Sequence, residues 1–218
     1  MELHQIETYI DSPDPQNRMK AITELRNYEP DLVVPLLKRR MCDQELIIRS
    51  FVAMGLGYKR TDEGFELLLD LIEHDRDYNV RAEAANSLAK YGAEAIQHLV
   101  QLFRQDPNWL VRYSIFAAID LTNNPEILLE LIVLALKGED LVVRQTAIAN
   151  LEQLANTPQK SIALELLLSA AKSDQGTIRA QVAKVLRHFE DPDAETALMN
   201  LRQDSDYRVV AATLEGLV

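Results

Sequence analysis

The chain holds a single cysteine, Cys42, with seven glycines and eight prolines among 218 residues, and aromatics make up only 6% of it. One cysteine excludes an internal disulfide, and no basic segment followed by an apolar run opens the chain, so secretion is not expected. Scarce glycine, proline and aromatic residues disfavour a β sandwich. No apolar stretch approaches the roughly 18 residues of a membrane span. Positive charge is also short: 23 Lys and Arg face 34 Asp and Glu, a net charge of −11. That balance argues against duplex nucleic acid or an anionic membrane as the main ligand. A cytoplasmic protein is expected.

Chemistry-bearing patterns are missing as well. Neither a glycine-rich phosphate loop nor a nucleophile beside its base is visible, and no cluster of metal ligands stands out. His74 with Asp75, and His188 with Asp191, read as solvated pairs. No catalytic residue, metal site or cofactor is assigned on these grounds.

What the sequence does have is 47% apolar residues and a period. Arginine returns at Arg18, Arg49, Arg81, Arg112, Arg144, Arg179 and Arg208, at intervals of 31, 32, 31, 32, 35 and 29 residues. A repeat of that length over the whole chain signals a helical solenoid or array. Around each arginine the apolar residues follow helical spacing: Val80 with Ala84, Ala85 and Leu88; Val143 with Ala147, Ile148 and Leu151; Ile178 with Val182, Ala183 and Leu186. Those offsets form one buried stripe. Four residues before the arginines stand Asp14, Asp77, Asp140 and Asp204, replaced elsewhere by Glu45, Asn108 and Gln175. An aspartate there caps a helix by accepting from its free N–H groups.

Upstream of each cap lies another amphipathic run, such as Phe65 to Ile72 or Ile96 to Phe103, so each unit is a helical hairpin. Pro30, Pro125, Pro158 and Pro192 fall near the starts of first helices, and Gly92 reads as a stop after Tyr91. The prediction is an all-α, right-handed α-solenoid of about seven hairpins forming one domain over 1–218. Its approximate units are 1–29, 30–60, 61–92, 93–123, 124–156, 157–190 and 191–218. Hairpins this short need stacking to bury both faces. In such a stack each arginine is expected to reach the acid of a neighbouring unit, making a ladder.

The unit Asp-x-x-Val-Arg-x-x-Ala-x-x-x-Leu, written at Asp77–Leu88 and Asp140–Leu151, resembles the HEAT repeat. At about 31 residues it is most similar to the short HEAT-like class named after phycobilisome lyases, which includes bilin lyase subunits and an NblB-like phycobilisome-degradation protein. The resemblance implies a cyanobacterial protein that binds phycobiliproteins or handles their linear tetrapyrrole. No short functional motif of that class maps onto numbered positions here. HEAT-like deoxyhypusine hydroxylases bind iron through His-Glu pairs, whereas His4, His74, His98 and His188 are each followed by another residue. Ankyrin and tetratricopeptide signatures are lacking.

Second helices usually line the inner surface of such a stack. On them, positions three before, one after and five after the arginine share a face: Tyr78, Ala82 and Asn86; Trp109, Tyr113 and Ala117; Ala180 and Lys184; with Met54, Gln145 and Thr213 from other units. The partner-binding candidates are Tyr78, Asn86, Trp109, Tyr113, Met54 and Lys184. Trp109 and Tyr113 offer large contact area with a polar tip, suited to a protein interface or aromatic ligand, or to filling gaps between helices. Lys38, Arg39 and Arg40 form the one tight basic cluster, read as a helix C-terminal cap or as a contact for an acidic partner surface. Cys42 follows it, with no neighbouring His in sequence to activate the thiol. Asn156 to Ser161 reads as a surface connection, and the end, Leu214 to Val218, lacks a polar outer cap.

The leading function is a non-enzymatic adaptor engaging a phycobiliprotein or phycobilisome component, or a second HEAT-like subunit, through its concave face. One alternative is a bilin lyase or chromophore-detaching factor with a tetrapyrrole in the groove, its propionates near Lys184 and Lys20. The other is a generic repeat scaffold unrelated to light harvesting.

Overall fold

A computed structural model describes residues 1–215. All regular structure among them is helical, in fourteen α-helices with three short 3-10 turns. The α-helices pair as α1 (Leu3–Ile10) with α2 (Pro15–Glu24), α3 (Pro30–Lys38) with α4 (Leu46–Lys59), α5 (Asp62–His74) with α6 (Tyr78–Ala89), and α7 (Ile96–Gln105) with α8 (Trp109–Ala118). There follow α9 (Pro125–Lys137) with α10 (Leu141–Asn150), α11 (Lys160–Ala170) with α12 (Gly176–Leu186), and α13 (Pro192–Leu201) with α14 (Tyr207–Leu214). The chain forms two compact units, Met1–Asp120 and Leu121–Val218.

Local chemistry explains where helices start. Asp14, Asp77, Asn108, Asp140 and Asp206 each accept a backbone N–H of the helix they open, while Glu45 and Gln175 hold that position without a side-chain bond. Pro30, Pro125 and Pro192 are first helical residues, where a missing N–H costs nothing. Pro158 lies two residues before α11. Gly92 has φ of 70°, the left-handed conformation that stops the chain after α6.

In the first unit the second helices α2, α4, α6 and α8 pack successively side by side, and α3, α5 and α7 form the other layer. The predicted stripe is the core: Val80, Ala84, Ala85 and Leu88 are fully buried in α6, which packs on α4, α5 and α8. Small residues set the approach of α4 to α6, because a Cβ on Gly57 would meet Ser87 Cβ at 2.6 Å and its Cα at 2.9 Å. In the second unit α10, α12 and α14 pack in the same way, burying Val143, Ile148, Val182 and Val209.

One register expectation is overturned. The helix capped in the last hairpin begins after Asp206, not Asp204, so Arg208 sits two residues after its cap, whereas Arg81 and its counterparts sit four after theirs. Val210 occupies the true repeat position. Cap to cap, from Asp14 through Glu45, Asp77, Asn108, Asp140 and Gln175 to Asp206, the intervals are 31, 32, 31, 32, 35 and 31 residues. Only the 35-residue step departs, and it contains Asn156–Ser161. That stretch is tied down by Gln159 to Glu126 at 3.0 Å and by Lys160 to the Glu190 carbonyl at 2.9 Å. The expectation about the uncapped chain end falls partly on residues 216–218, outside the described residues.

Candidate functional site

Four of the seven repeat arginines make a ladder, while Arg208 pairs with its own cap Asp206, and the ladder acids are not the capping ones. Arg18 meets Asp43 through Nη2 and Nε, both at 2.8 Å; Arg49 holds Asp75 at 2.6 and 3.0 Å; Arg81 holds Asp106 at 2.7 and 3.4 Å; Arg179 holds Asp204 at 2.7 and 2.8 Å. Each of these aspartates lies two residues before a helix cap and also accepts the backbone N–H of the cap residue. Each of these arginines also donates Nη1 to the carbonyl six residues back, at Ser12, Asp43, Asp75 and Ser173. One guanidinium therefore pins the entry loop of its own helix to that of the next hairpin. Donation of its hydrogen bonds to Asp75 raises the Arg49 pKa, and accepting those of Arg179 holds the Asp204 carboxyl below its usual range. These groups are structural.

The solvent-facing candidates are different residues. Tyr78 and Trp109 are the first residues of α6 and α8, and Leu46 holds the same place on α4; they are 44%, 44% and 42% exposed. Tyr113, one turn beyond Trp109, is 40% exposed. Large apolar side chains exposed on successive helices of one layer are an unfinished surface. Ala82 is buried between helices, and Asn86 and Met54 are half-buried, so the expected face closes beyond the first turn on α6, whereas on α8 it stays open at Tyr113 and Ala117. Met54 instead helps line a hollow of about 120 Å³ with Ile22, Leu37, Phe51, Gly55 and Tyr58. Arg26 and Lys90 lie 4.9 and 4.7 Å from the Tyr58 ring centre at that place.

Lys184 belongs to the second unit and pairs with Glu215 at 3.0 Å, so the cation expected to meet a tetrapyrrole propionate already has a carboxylate. Thr213, expected on the open face, is buried and bonds the Val210 carbonyl at 2.7 Å. The basic cluster is also paired: Lys38 with Glu63 at 2.8 Å, and both Arg39 and Arg40 with Asp11. It joins three hairpins from the C-terminal end of α3, with the Lys38 and Arg39 side chains still exposed. Cys42 is exposed, and folding places it in one depression with His74, whose Nδ1 lies 3.2 Å from Asp70. Among the described residues no group of three or more His, Cys, Asp or Glu could hold a metal ion. No described helix is long and apolar enough to cross a membrane.

Sequence reasoning missed Leu46, Leu141 and Tyr207, which share the first-turn position with Tyr78 and Trp109. The signal was available at the same offset, but Tyr207, 81% exposed, was hidden by taking Arg208 as the repeat arginine.

Stacked helical hairpins, a buried arginine ladder and an exposed apolar edge define an α-helical repeat scaffold. The family model for HEAT repeats matches residues 43–120 and 123–218, and the chain belongs to the HEAT repeat family. Its fold is similar to that of YibA from E. coli, with TM-score 0.69 and 17% identity over 97% of this chain and 80% of that one. It is also similar to the complex of CpcE and CpcF of phycocyanin lyase from Nostoc sp. PCC7120, with TM-score 0.56 and 19% identity over 98% and 94%. A chain of the Kap95p–RanGDP structure gives TM-score 0.65 and 14% identity, over 93% of this chain and 30% of that one. No curated protein sequence matches it.

Proposed function

We propose that this HEAT-repeat scaffold is a non-enzymatic adaptor that captures a protein partner on the second-helix layer of its first unit, and that the partner is a phycobiliprotein or another phycobilisome component. The observation that carries the binding surface is the exposed row Leu46, Tyr78 and Trp109, extended by Tyr113. Aromatic side chains of this kind dominate binding energy when a partner covers them, since each offers large area at low entropic cost. Tyr78, Trp109 and Tyr113 act as anchors; Asn86 and Met54 support them from half-buried positions. The buried ladder holds successive hairpins in register so that the row is presented as a rigid edge.

The choice of partner rests on the short HEAT-like repeat and is supported by the fold shared with the phycocyanin lyase complex. Capture without chemistry is preferred over chromophore handling because one of the two expected propionate partners, Lys184, is engaged by Glu215. The test is binding of purified phycobiliprotein to the intact chain, with its visible absorbance followed. Saturable binding with an unchanged spectrum supports the adaptor. A shifted or transferred bilin absorbance overturns it in favour of chromophore handling, and no binding removes the partner assignment.

A further inference from the structure

Four ladder arginines are neutralised by an aspartate two residues before the next cap, and two break that rule: Arg112, where the residue two before Asp140 is Gly138 and Nε donates to the Asp106 carbonyl at 2.8 Å, and Arg144. In the hairpin that follows it, the corresponding residue is Ser173, two before Gln175. Ser173 Oγ keeps the local turn, accepting the Gln175 N–H at 3.3 Å just as Asp75 accepts that of Asp77, but it carries no charge. Arg144 Nε is buried and has no hydrogen-bond partner. Leaving a guanidinium donor buried and unpaired is costly, and a fold that pairs the same atom elsewhere is set up to pair it here.

Space for the missing group exists. Arg144 lines an open depression of about 450 Å³ in the second unit, with Leu136, Leu166, Ser169, Lys172 and Ser173 among its walls. Lys172 brings a second positive charge, the two serines bring hydroxyls, and Leu136 and Leu166 make an apolar wall. Asp174 also borders the depression and acts electrostatically on Arg179.

We propose that this gap in the ladder is a binding site for an exogenous carboxylate, seated on Arg144 as Asp75 sits on Arg49 and held on its far side by Lys172. A planar carboxylate matches the paired Nε and Nη2 donors of a guanidinium, as the intact rungs demonstrate. The apolar wall favours one carried on a short aliphatic arm. Two sources share that chemistry: a small dicarboxylate, and an Asp or Glu side chain of a protein. The site lies in the second unit and does not rest on the aromatic row of the first.

The test titrates the intact protein with succinate at constant ionic strength while the backbone amide resonances of residues lining the depression, Lys172 and Gln175 among them, are followed by NMR, then repeats it with an acetylated, amidated aspartyl tripeptide. A saturable shift is expected with at least one probe, weakened roughly tenfold or more by Arg144→Met and abolished by Ser173→Asp, which supplies the rung from within the chain. Because Ser173→Asp restores the pattern of the other rungs, it should also raise the melting temperature, and it keeps the test decisive if Arg144→Met folds poorly. Tighter binding of the peptide assigns the site to a protein side chain, and tighter binding of succinate to a small molecule. No saturable shift, a shift that survives Ser173→Asp, or stronger binding of inorganic phosphate than of either carboxylate overturns the proposal.

Discussion

Arg49 grips the carboxylate of Asp75 through Nε at 2.6 Å and Nη2 at 3.0 Å, with only 6% and 4% of the two side chains exposed. The same guanidinium donates to the Asp43 carbonyl, so a single side chain fastens the entry of α4 to the entry of α6. Arg49→Ala strands Asp75 in a dry setting and should cost about 3 to 5 kcal/mol. Replacing both members with apolar residues should cost markedly less. Chemical denaturation of the two single variants and the double variant checks this, and a double-variant loss equal to the sum of the two single losses would refute the coupling.

Acid should loosen the last rung. Arg179 holds the Asp204 carboxyl below its ordinary value of 3.8, and Arg208 holds that of Asp206 down to about 2. A carboxylate whose folded pKa is depressed adds stability that is present above its unfolded pKa and lost as pH falls through the folded one. Stability should therefore fall between pH 4 and roughly 2, and Asp204→Asn should be less stable at pH 7 and show a shallower decline. Denaturation midpoints at several pH values give the slopes.

Gly57 is required by contact rather than by backbone freedom. In an ordinary helix interior Gly→Ala stabilises by about 1 kcal/mol, yet here the new methyl meets Ser87 backbone and side chain inside 3 Å. Gly57→Ala should lower stability by about 1 to 3 kcal/mol, and adding Ser87→Gly should recover part of the loss. A melting temperature that rises in Gly57→Ala would contradict the packing described for α4 and α6.

Much of this fold is legible in the sequence. Val80, Ala84, Ala85 and Leu88 announce a helical core stripe, and Asp77 and Asn108 announce caps, because both signals are local and periodic. The ladder acids Asp43, Asp75 and Asp106 were not recognised, since an aspartate in a connection reads as an ordinary turn residue until folding brings an arginine 25 or 26 positions away onto it. The exposed edge was half legible: Tyr78 and Trp109 stood out as aromatics, whereas Leu46 and Leu141, aliphatic residues at the same offset, drew no notice. Lys184 and the Lys38–Arg40 cluster looked available because their partners, Glu215, Glu63 and Asp11, are distant in sequence.

The adaptor account turns on the aromatic row, so the direct measurement is the affinity of the intact protein for purified phycobiliprotein, with and without Trp109→Ala and Tyr113→Ala together. The account predicts saturable binding with unchanged bilin absorbance, weakened roughly tenfold or more in the double variant, whose helical circular dichroism and melting stay those of the parent. Equal affinity in the folded double variant, or no binding by the parent, would contradict it.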